Sequence, residues 1–370
     1  PLFIAWFFLE ALEAKKFKNV IFLSAASGLF VGFYSMTWGG WWYIFDFILA
    51  STAFYVAYYA FVHKKELIRS FSGFVKQKAI KNSLTFLMVF FTVSALATTL
   101  FINYNHFSKF VKNPGGFAKL KEVGITTIWP NVFTTVAEQN PASLNNVVNQ
   151  VGLGEFYIFM IALIGITLTL TGMHRRKMWF VLGTLAWYLT LLFLKDKPFI
   201  QDLNTFLILI SIPIVIRVLI ALWESDKEID LKYAIFLVLW FLATTFASTK
   251  GIRFTLLLVP AFAIGLGISF GALLKYGREL ISKNLKVNRL VTSALIIIIL
   301  IMALGIIPVP ASACGKIPGT HIWCNALNTA RSELPSLNDA WRTSLERIKD
   351  DSKEDAIINS WWDFGHWFKF

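Results

Sequence analysis

The sequence contains few charged residues and few cysteines for its length. Charged side chains make up only 15% of the 370 residues, and long stretches contain none of them. Only two cysteines are present, which excludes a disulfide-rich secreted scaffold. Long polar tracts are also missing, so the composition is not that of a disordered chain. Apolar residues dominate instead: 56% of the chain is hydrophobic, with 36 phenylalanines and 14 tryptophans.

The apolar residues are grouped in runs of membrane length. A helix needs roughly 20 apolar residues to cross the hydrocarbon core of a bilayer, and such runs recur from one end of the chain to the other. They predict an all-α polytopic membrane protein. The runs fall at 20–37, 41–62, 83–104, 155–173, 179–194, 203–223, 233–248, 254–274 and 290–309, with a partial run at 1–9.

The charge of the chain is strongly positive, at +13. In a soluble protein this excess would favour a nucleic-acid partner, but in a membrane protein basic residues collect in cytoplasmic loops. We therefore expect membrane lipids and no nucleic acid as partners. Five basic clusters begin at Lys15, Lys64, His174, Lys227 and Lys275. If all five lie in the cytoplasm, the remaining connections all face outward, and the list of spans is consistent with this orientation. These connections are 38–40, 105–154, 195–202, 249–253 and 310–370.

Two of the outward segments are too long to be simple connections. The segment 105–154 shows no obvious helix, which is typical of a lid or a binding loop. We predict a multispan domain at 1–309 that includes this loop, followed by an external segment at 310–370 that leads into a soluble domain. Because the chain begins inside an apolar run and stops after an aromatic cluster, we expect it to be a fragment.

The external segment contains several local signals. Trp341, Leu345 and Ile348 follow helical spacing after a capping residue, which predicts one short amphipathic helix. Residues 356–358 indicate a short strand. Cys314 and Cys324 both lie outside the predicted membrane spans, so they are candidates for a disulfide, with two unpaired thiols as the alternative.

Charged residues inside the predicted spans are scarce. Asp46 and Arg217 are the exceptions, and each lies near a predicted interface. For Arg217 we expect snorkelling of the side chain to the headgroups, whereas Asp46 could face a cavity. A transporter usually has polar residues near the midplane of several helices. That pattern is weak here, which favours chemistry at the outer membrane surface.

The strongest local motif is Trp361-Trp362-Asp363-Phe364-Gly365. A single tryptophan near the end of a span is usually part of the aromatic belt at the headgroups. Two adjacent indoles with a carboxylate form a less general unit, since they can make a small pocket for a short hydroxyl side chain.

This motif resembles the WWDYG signature of oligosaccharyltransferase catalytic subunits, and the residues leading to it resemble the archaeal type. The resemblance implies an α-helical membrane domain of the GT-C class of glycosyltransferases. It also implies that Trp361, Trp362 and Asp363 bind the Ser or Thr of an Asn-X-Ser/Thr acceptor. Phe364 replaces the tyrosine of the signature, which removes only a hydroxyl group.

A second resemblance lies in the long outward loop. Thr135-Val136-Ala137-Glu138 is similar to the TIXE or SVSE element of the same family, although such a string alone is more typical of a solvated loop. The resemblance implies that Glu138 contacts the acceptor asparagine amide, near the metal. A carboxylate that accepts hydrogen bonds from this amide would turn it out of resonance and free the nitrogen lone pair.

Two further segments resemble the family. Arg253, in Gly251-Ile252-Arg253-Phe254, resembles the arginine that contacts the lipid-linked diphosphate, and a guanidinium suits that group because it pairs bidentately with phosphate. Alone, it is equally well explained as an interfacial anchor. Trp38 and Gly39 lie in a segment similar to a WGG turn of the family, which implies a contact with the lipid-linked sugar. Alone, this segment is a tight turn.

The family resemblance implies a complete reaction. An oligosaccharide is transferred, with inversion, from a polyprenyl or dolichyl phosphate or diphosphate to asparagine in Asn-X-Ser/Thr sequons. It implies Mn²⁺ or Mg²⁺, with the main metal ligands upstream of Pro1, so we expect this chain to be inactive alone. It further implies a single catalytic subunit in the plasma membrane of an archaeon, with its active site on the extracellular face.

The alternatives to this reaction are another transferase of the same architecture and a transporter. The first group includes protein O-mannosyltransferases and arabinosyltransferases, which also use lipid-linked sugars. One feature departs from the family: about six spans follow the Glu138 loop, where typical members have about four.

Overall fold

The structure is a computed structural model that describes residues 1–118, 143–152, 155–170, 178–224, 231–248, 250–332, 339–353 and 355–358. Within these residues the chain is largely helical and contains no strand. The chain divides into two compact units, Pro1–Asn284 and Leu285–Phe370.

The first unit consists of helices that include nine of the ten predicted apolar runs. In chain order, they are α1 (Leu2–Glu13), α2 (Phe17–Thr37), α3 (Trp42–Val62), α4 (Lys64–Arg69), α5 (Phe71–Lys76), α6 (Lys78–Phe101), α7 (Tyr104–Phe107), α8 (Lys109–Ala118), α9 (Leu144–Val151), α10 (Phe156–Thr169), α11 (Met178–Phe193), α12 (Pro198–Gln201), α13 (Leu203–Glu224), α14 (Lys232–Ser248), a 3-10 helix (Ile252–Leu257) and α15 (Val259–Leu285).

The predicted all-α membrane class is confirmed. Among the described residues, α2, α3, α6 and α15 are long and apolar enough to cross a membrane, and five shorter apolar helices accompany them. Several predicted boundaries are wrong; for example, α6 begins at Lys78 and α15 continues to Leu285. Hydropathy marks where the apolar sequence ends, whereas a helix continues through lysine, arginine and glutamate, which are good helix formers.

Small residues bring the helices of the first unit close together. α2 packs against α1 and α6, and a Cβ atom at Gly28 would lie 2.9 Å from the carbonyl oxygen of Phe90 on α6. The Ser27 hydroxyl donates a hydrogen bond to the Ile4 carbonyl on α1, at 2.9 Å. Glycine and serine at such crossings let backbones approach closely, which is how helices associate within a bilayer.

A second close crossing joins α10 to α15. A Cβ atom at Gly265 would lie 2.7 Å from the carbonyl oxygen of Ala162, which no side chain tolerates without movement. One helical turn further along α15, the Ser269 hydroxyl donates to the Ile161 carbonyl at 2.6 Å. This crossing fixes α15, and α15 directly follows the 3-10 helix that contains Arg253.

The expected snorkelling of Arg217 is wrong. Its side chain is only 1% exposed, and the Nε–H group donates to the carbonyl oxygen of Leu170 at 3.1 Å. Leu170 is the C-cap residue of α10, directly after Thr169. The carbonyl groups at the end of a helix carry partial negative charge, so they stabilise a cation that lies among them.

The long outward loop is partly helical, contrary to the sequence expectation. α7, α8 and α9 lie within it or at its edge, and residues 119–142, between α8 and α9, lie outside the described part of the chain. α9 begins at a conventional cap, because the Ser143 hydroxyl accepts a hydrogen bond from the Asn146 amide. The buried residues Leu144, Val147, Val148 and Val151 follow the capping serine at helical spacing, a signal that would have predicted this helix.

The second unit contains α16 (Arg289–Leu304), α17 (His321–Ser332) and α18 (Asp339–Asp351). The structure joins Cys314 and Cys324 in a disulfide, with their Cα atoms 5.6 Å apart. α18 is the predicted amphipathic helix. The predicted strand at 356–358 is not formed, and Ile357 is exposed. A strand needs a partner for its backbone groups, and the described residues offer none there.

Candidate functional site

A cavity of about 650 Å³ opens in the first unit where several helices end. It lies between the turn that joins α2 to α3, the middle of α8, the end of α14 and the 3-10 helix. The charge pattern assigns all of these segments to one side of the membrane. Its principal lining residues are Trp38, Trp42, Phe47, Phe246, Arg253 and Phe254.

The turn between α2 and α3 presents Trp38 to this cavity. α2 ends at Thr37, and the backbone then turns through hydrogen bonds from the Trp41 amide to the Trp38 carbonyl and from the Tyr43 amide to the Gly40 carbonyl, each 3.2 Å long. The Trp38 indole meets the Tyr43 ring edge-on, with centroids 5.8 Å apart, and remains 39% exposed. The ring is therefore held on one side and open to a ligand on the other.

Gly40 allows this position of the indole, because a Cβ atom there would overlap the Trp38 ring. We expect Gly40→Ala to push the partly exposed indole aside without unfolding the protein. The KM of the full-length protein for a substrate that stacks on Trp38 should rise about tenfold, as the loss of one aromatic contact predicts. The measurement is steady-state kinetics of the full-length protein, with its thermal midpoint unchanged.

Gly183→Ala, on α11, is the control, because a Cβ atom at Gly183 meets nothing within 4 Å and Gly183 does not line the cavity. It should change the KM less than threefold, since the added methyl group points into open space. Equal KM values for the two variants would mean that the position of Trp38 does not matter for this substrate.

Arg253 lies on the 3-10 helix, whose backbone is held by a hydrogen bond from α14. The indole N–H group of Trp240, a fully buried residue of α14, donates to the Leu257 carbonyl at 3.1 Å. Phe254 and Thr255 are buried, whereas Arg253 is exposed, and its guanidinium carbon lies 5.0 Å from the Phe254 ring centroid. α9 packs against the same 3-10 helix. The Arg253 guanidinium therefore lies at the edge of the cavity on a backbone that its neighbours hold in place.

The cavity combines an apolar wall with positive charge. Besides Arg253, the Lys250 ammonium lies nearby, 5.5 Å from the ring centroid of the lining residue Phe246. None of the described lining residues is acidic, and Asn113 contributes an amide side chain. Such a site suits a molecule with an anionic head and an apolar chain.

The structure brings together some of the predicted site residues. Trp38, Gly39 and Arg253 line one cavity, although about 200 residues separate the first two from the third. Sequence reasoning missed Trp42, Phe246 and other lining aromatics, although most lie within a few residues of a predicted one. The remaining predicted residues lie outside the described part of the chain: Glu138, Trp361, Trp362 and Asp363.

The predicted Mn²⁺ or Mg²⁺ ion has no ligand set among the described residues. Nowhere in that part of the chain do three or more His, Cys, Asp or Glu side chains come together in a way that could hold a metal ion. Both ions prefer several oxygen ligands, chiefly carboxylates. The main ligands are expected upstream of Pro1, so the metal stays a prediction.

Comparison with known proteins gives a consistent result. The family described as "Oligosaccharyl transferase STT3, N-terminal" matches residues 1–309. The chain is 24% identical over 421 residues to a dolichyl-phosphooligosaccharide-protein glycotransferase of Methanococcus voltae, covering 99% of the chain and 41% of that relative. It is 25% identical over 378 residues to a protein of the same name from Methanocaldococcus jannaschii, covering 90% of the chain and 35% of that relative.

The chain thus spans about two fifths of the length of these curated relatives. No solved structure matches it. The family match extends over most of the chain, including every segment that forms the cavity of Trp38 and Arg253. The chain therefore belongs to the oligosaccharyl transferase STT3 family.

Proposed function

We propose that this chain is the membrane part of an oligosaccharyltransferase that moves an oligosaccharide from a polyprenyl or dolichyl phosphate or diphosphate to asparagine in Asn-X-Ser/Thr sequons. One observation carries the proposal: an aromatic-walled cavity of about 650 Å³ with Arg253 at its edge. The names of the two relatives, which refer to a dolichyl-linked oligosaccharide and a protein acceptor, support it.

The cavity supplies the donor half of this reaction. The Arg253 guanidinium pairs bidentately with the lipid phosphate, while the aromatic wall takes the first isoprene units. As the acceptor nitrogen attacks the anomeric carbon and releases one proton to solvent, the bond from that carbon to the phosphate oxygen breaks and negative charge develops on the leaving phosphate. A fixed guanidinium stabilises that charge more in the transition state than in the ground state.

Glu138 and the Trp361-Trp362-Asp363 motif supply the acceptor half. Glu138 lies six residues before Leu144, where α9 begins, and α9 packs against the 3-10 helix of Arg253. In the proposal, Glu138 orients the acceptor amide while the two indoles and Asp363 bind the sequon hydroxyl.

Several features of the proposal come from the family resemblance alone. They are dependence on Mn²⁺ or Mg²⁺, action as a single catalytic subunit, location in the plasma membrane, and an active site on its extracellular face. Activity of the full-length protein with and without a chelator tests the first of these. Another lipid-sugar transferase, such as an O-mannosyltransferase or arabinosyltransferase, is the nearest alternative function, followed by a transporter.

The acceptor chemistry can be tested with paired fluorescent peptides. The full-length protein is incubated with a lipid-linked oligosaccharide extract and Asn-X-Thr or Gln-X-Thr peptide, with Mn²⁺. We expect glycopeptide only from the first, and at least a tenfold loss in Asp363→Ala, because a lost hydrogen bond to a charged group costs about 1.5–3 kcal/mol. Asp355→Ala, which removes an exposed acid nearby in the sequence, is the matched control.

Two outcomes would contradict this assignment. A fully active Glu138→Ala variant would show that Glu138 does not act at the acceptor site. Uptake of the lipid-linked sugar by proteoliposomes without glycopeptide formation would favour the transporter instead.

A further inference from the structure

A second cleft, of about 520 Å³, lies in the first unit at the other end of α3 and α14. It is lined at the end of α1, in the last third of α3, at the start of α6 and at the start of α14. Tyr43 of the first cavity and Tyr59 of the second lie on one helix, 16 residues apart, which is roughly 24 Å at 1.5 Å per residue. This is close to the thickness of the hydrocarbon core, so the two sites lie near opposite membrane surfaces.

The cleft is rich in cationic and hydroxyl groups. Three lysines, Lys15, Lys78 and Lys232, line it together with Tyr55 and Tyr59. The described lining residues include a single acid, Glu13, so two positive charges remain unbalanced. Lys15 and Lys78 are exposed, whereas the Lys232 side chain is 10% exposed.

Hydrogen bonds hold the walls of this cleft together and provide partners for the Glu13 carboxylate. The Lys232 ammonium lies 3.1 Å from the Glu13 carboxylate, to which the Tyr233 hydroxyl also donates. The hydrogen bond from Tyr233 lowers the pKa of Glu13 most, and the bond from Lys232 lowers it further. The Asn82 amide donates to the carbonyls of Leu12 and Ala14 at 3.1 Å each, which caps the end of α1. The Lys78 ammonium also donates to the backbone carbonyl of Glu13, at 3.4 Å. The Glu13 carboxylate therefore forms part of the cleft's framework, and it balances only one of the three lysine charges that line the cleft.

We propose that this cleft binds the phosphate of an anionic membrane lipid. Lysine ammonium groups attract phosphate as point charges, and tyrosine hydroxyls donate hydrogen bonds to it. Basic pockets between membrane helices on the cytoplasmic side are suited to lipid headgroups, and the charge pattern places this end of the helices on that side. The site is independent of oligosaccharide transfer and does not rest on the proposed function.

The test compares two double variants of the full-length protein in nanodiscs of phosphatidylcholine with or without phosphatidylglycerol. Lys15→Gln/Lys78→Gln removes the two exposed charges of the cleft. Lys65→Gln/Lys76→Gln removes two exposed lysines on the same predicted membrane side, outside the cleft. The readout is the amount of phosphatidylglycerol that remains bound after detergent extraction, measured by mass spectrometry.

We expect the cleft variant to retain about tenfold less phosphatidylglycerol than wild type, because each basic residue near the surface contributes to lipid attraction. The control variant should change retention less than twofold, and Lys15→Arg/Lys78→Arg should restore it. Equal retention by the cleft and control variants would overturn the proposal. Complete displacement of the lipid by inorganic phosphate would also overturn it, assigning the cleft to a soluble anion.

Discussion

Replacement of Arg253 by alanine is expected to lower glycopeptide formation by the full-length protein about a hundredfold or more. The guanidinium lies at the edge of the cavity, on a 3-10 helix anchored by the Trp240–Leu257 hydrogen bond. Removing a preorganised group that stabilises developing charge typically costs 100- to 1000-fold in kcat. Arg253→Lys should be intermediate, since it keeps the charge and loses the bidentate geometry.

Lys250→Ala is the control for this experiment. It removes a positive charge from the same connection, but Lys250 contacts the ring of Phe246 and does not line the cavity. We expect a loss of less than threefold. If Lys250→Ala and Arg253→Ala reduce the rate equally, the loss of rate comes from the overall positive charge of this region. The prediction that Arg253 makes a specific contact with phosphate would then be wrong.

Replacement of Gly265 by valine is expected to prevent correct assembly of the helices. Its Cβ atom would lie 2.7 Å from the Ala162 carbonyl oxygen and 2.9 Å from the Ile166 side chain. The Ala162 oxygen belongs to the backbone of α10 and cannot rotate away, so the two helices must separate. We expect a loss of about 3 kcal/mol or more in the free energy of unfolding.

The matched control for this variant lies two residues further along α15. A Cβ atom at Gly267 meets nothing within 4 Å, so Gly267→Val should change the free energy of unfolding by less than about 1 kcal/mol. The measurement is the thermal midpoint and the monodispersity of each variant in detergent. Equal stability of the two variants would show that the α10–α15 crossing is not formed as described.

Much of the fold could be predicted from hydropathy, because a membrane span must be long, apolar and helical. The ends of the spans could not be predicted, since α15 continues through eleven residues beyond its last predicted apolar position, residue 274. The α9 helix was missed although Ser143 and the following apolar spacing marked it. Burial of Arg217 depends on the position of Leu170 on another helix, which no local pattern reveals.

The candidate site was predictable only in part. Motif resemblance selected Trp38 and Arg253, but their convergence on one cavity depends on how α3, α14 and the 3-10 helix pack. The aromatic wall was missed because Trp42 and Phe246 resemble ordinary residues of an apolar helix. The requirement for Gly40 depends on the folded turn, because the Trp38 indole occupies the space that a side chain at position 40 would need.

The most direct test of this account is photo-crosslinking of the full-length protein with a polyprenyl diphosphate that carries a diazirine on its first isoprene unit. Peptide mass spectrometry would then locate the label. We expect it on the segments that form the cavity, 38–47 and 243–257, and we expect unlabelled lipid to compete for it. Specific labelling confined to other helices, with neither of these segments modified, would contradict the assignment of this cavity to the lipid-linked donor.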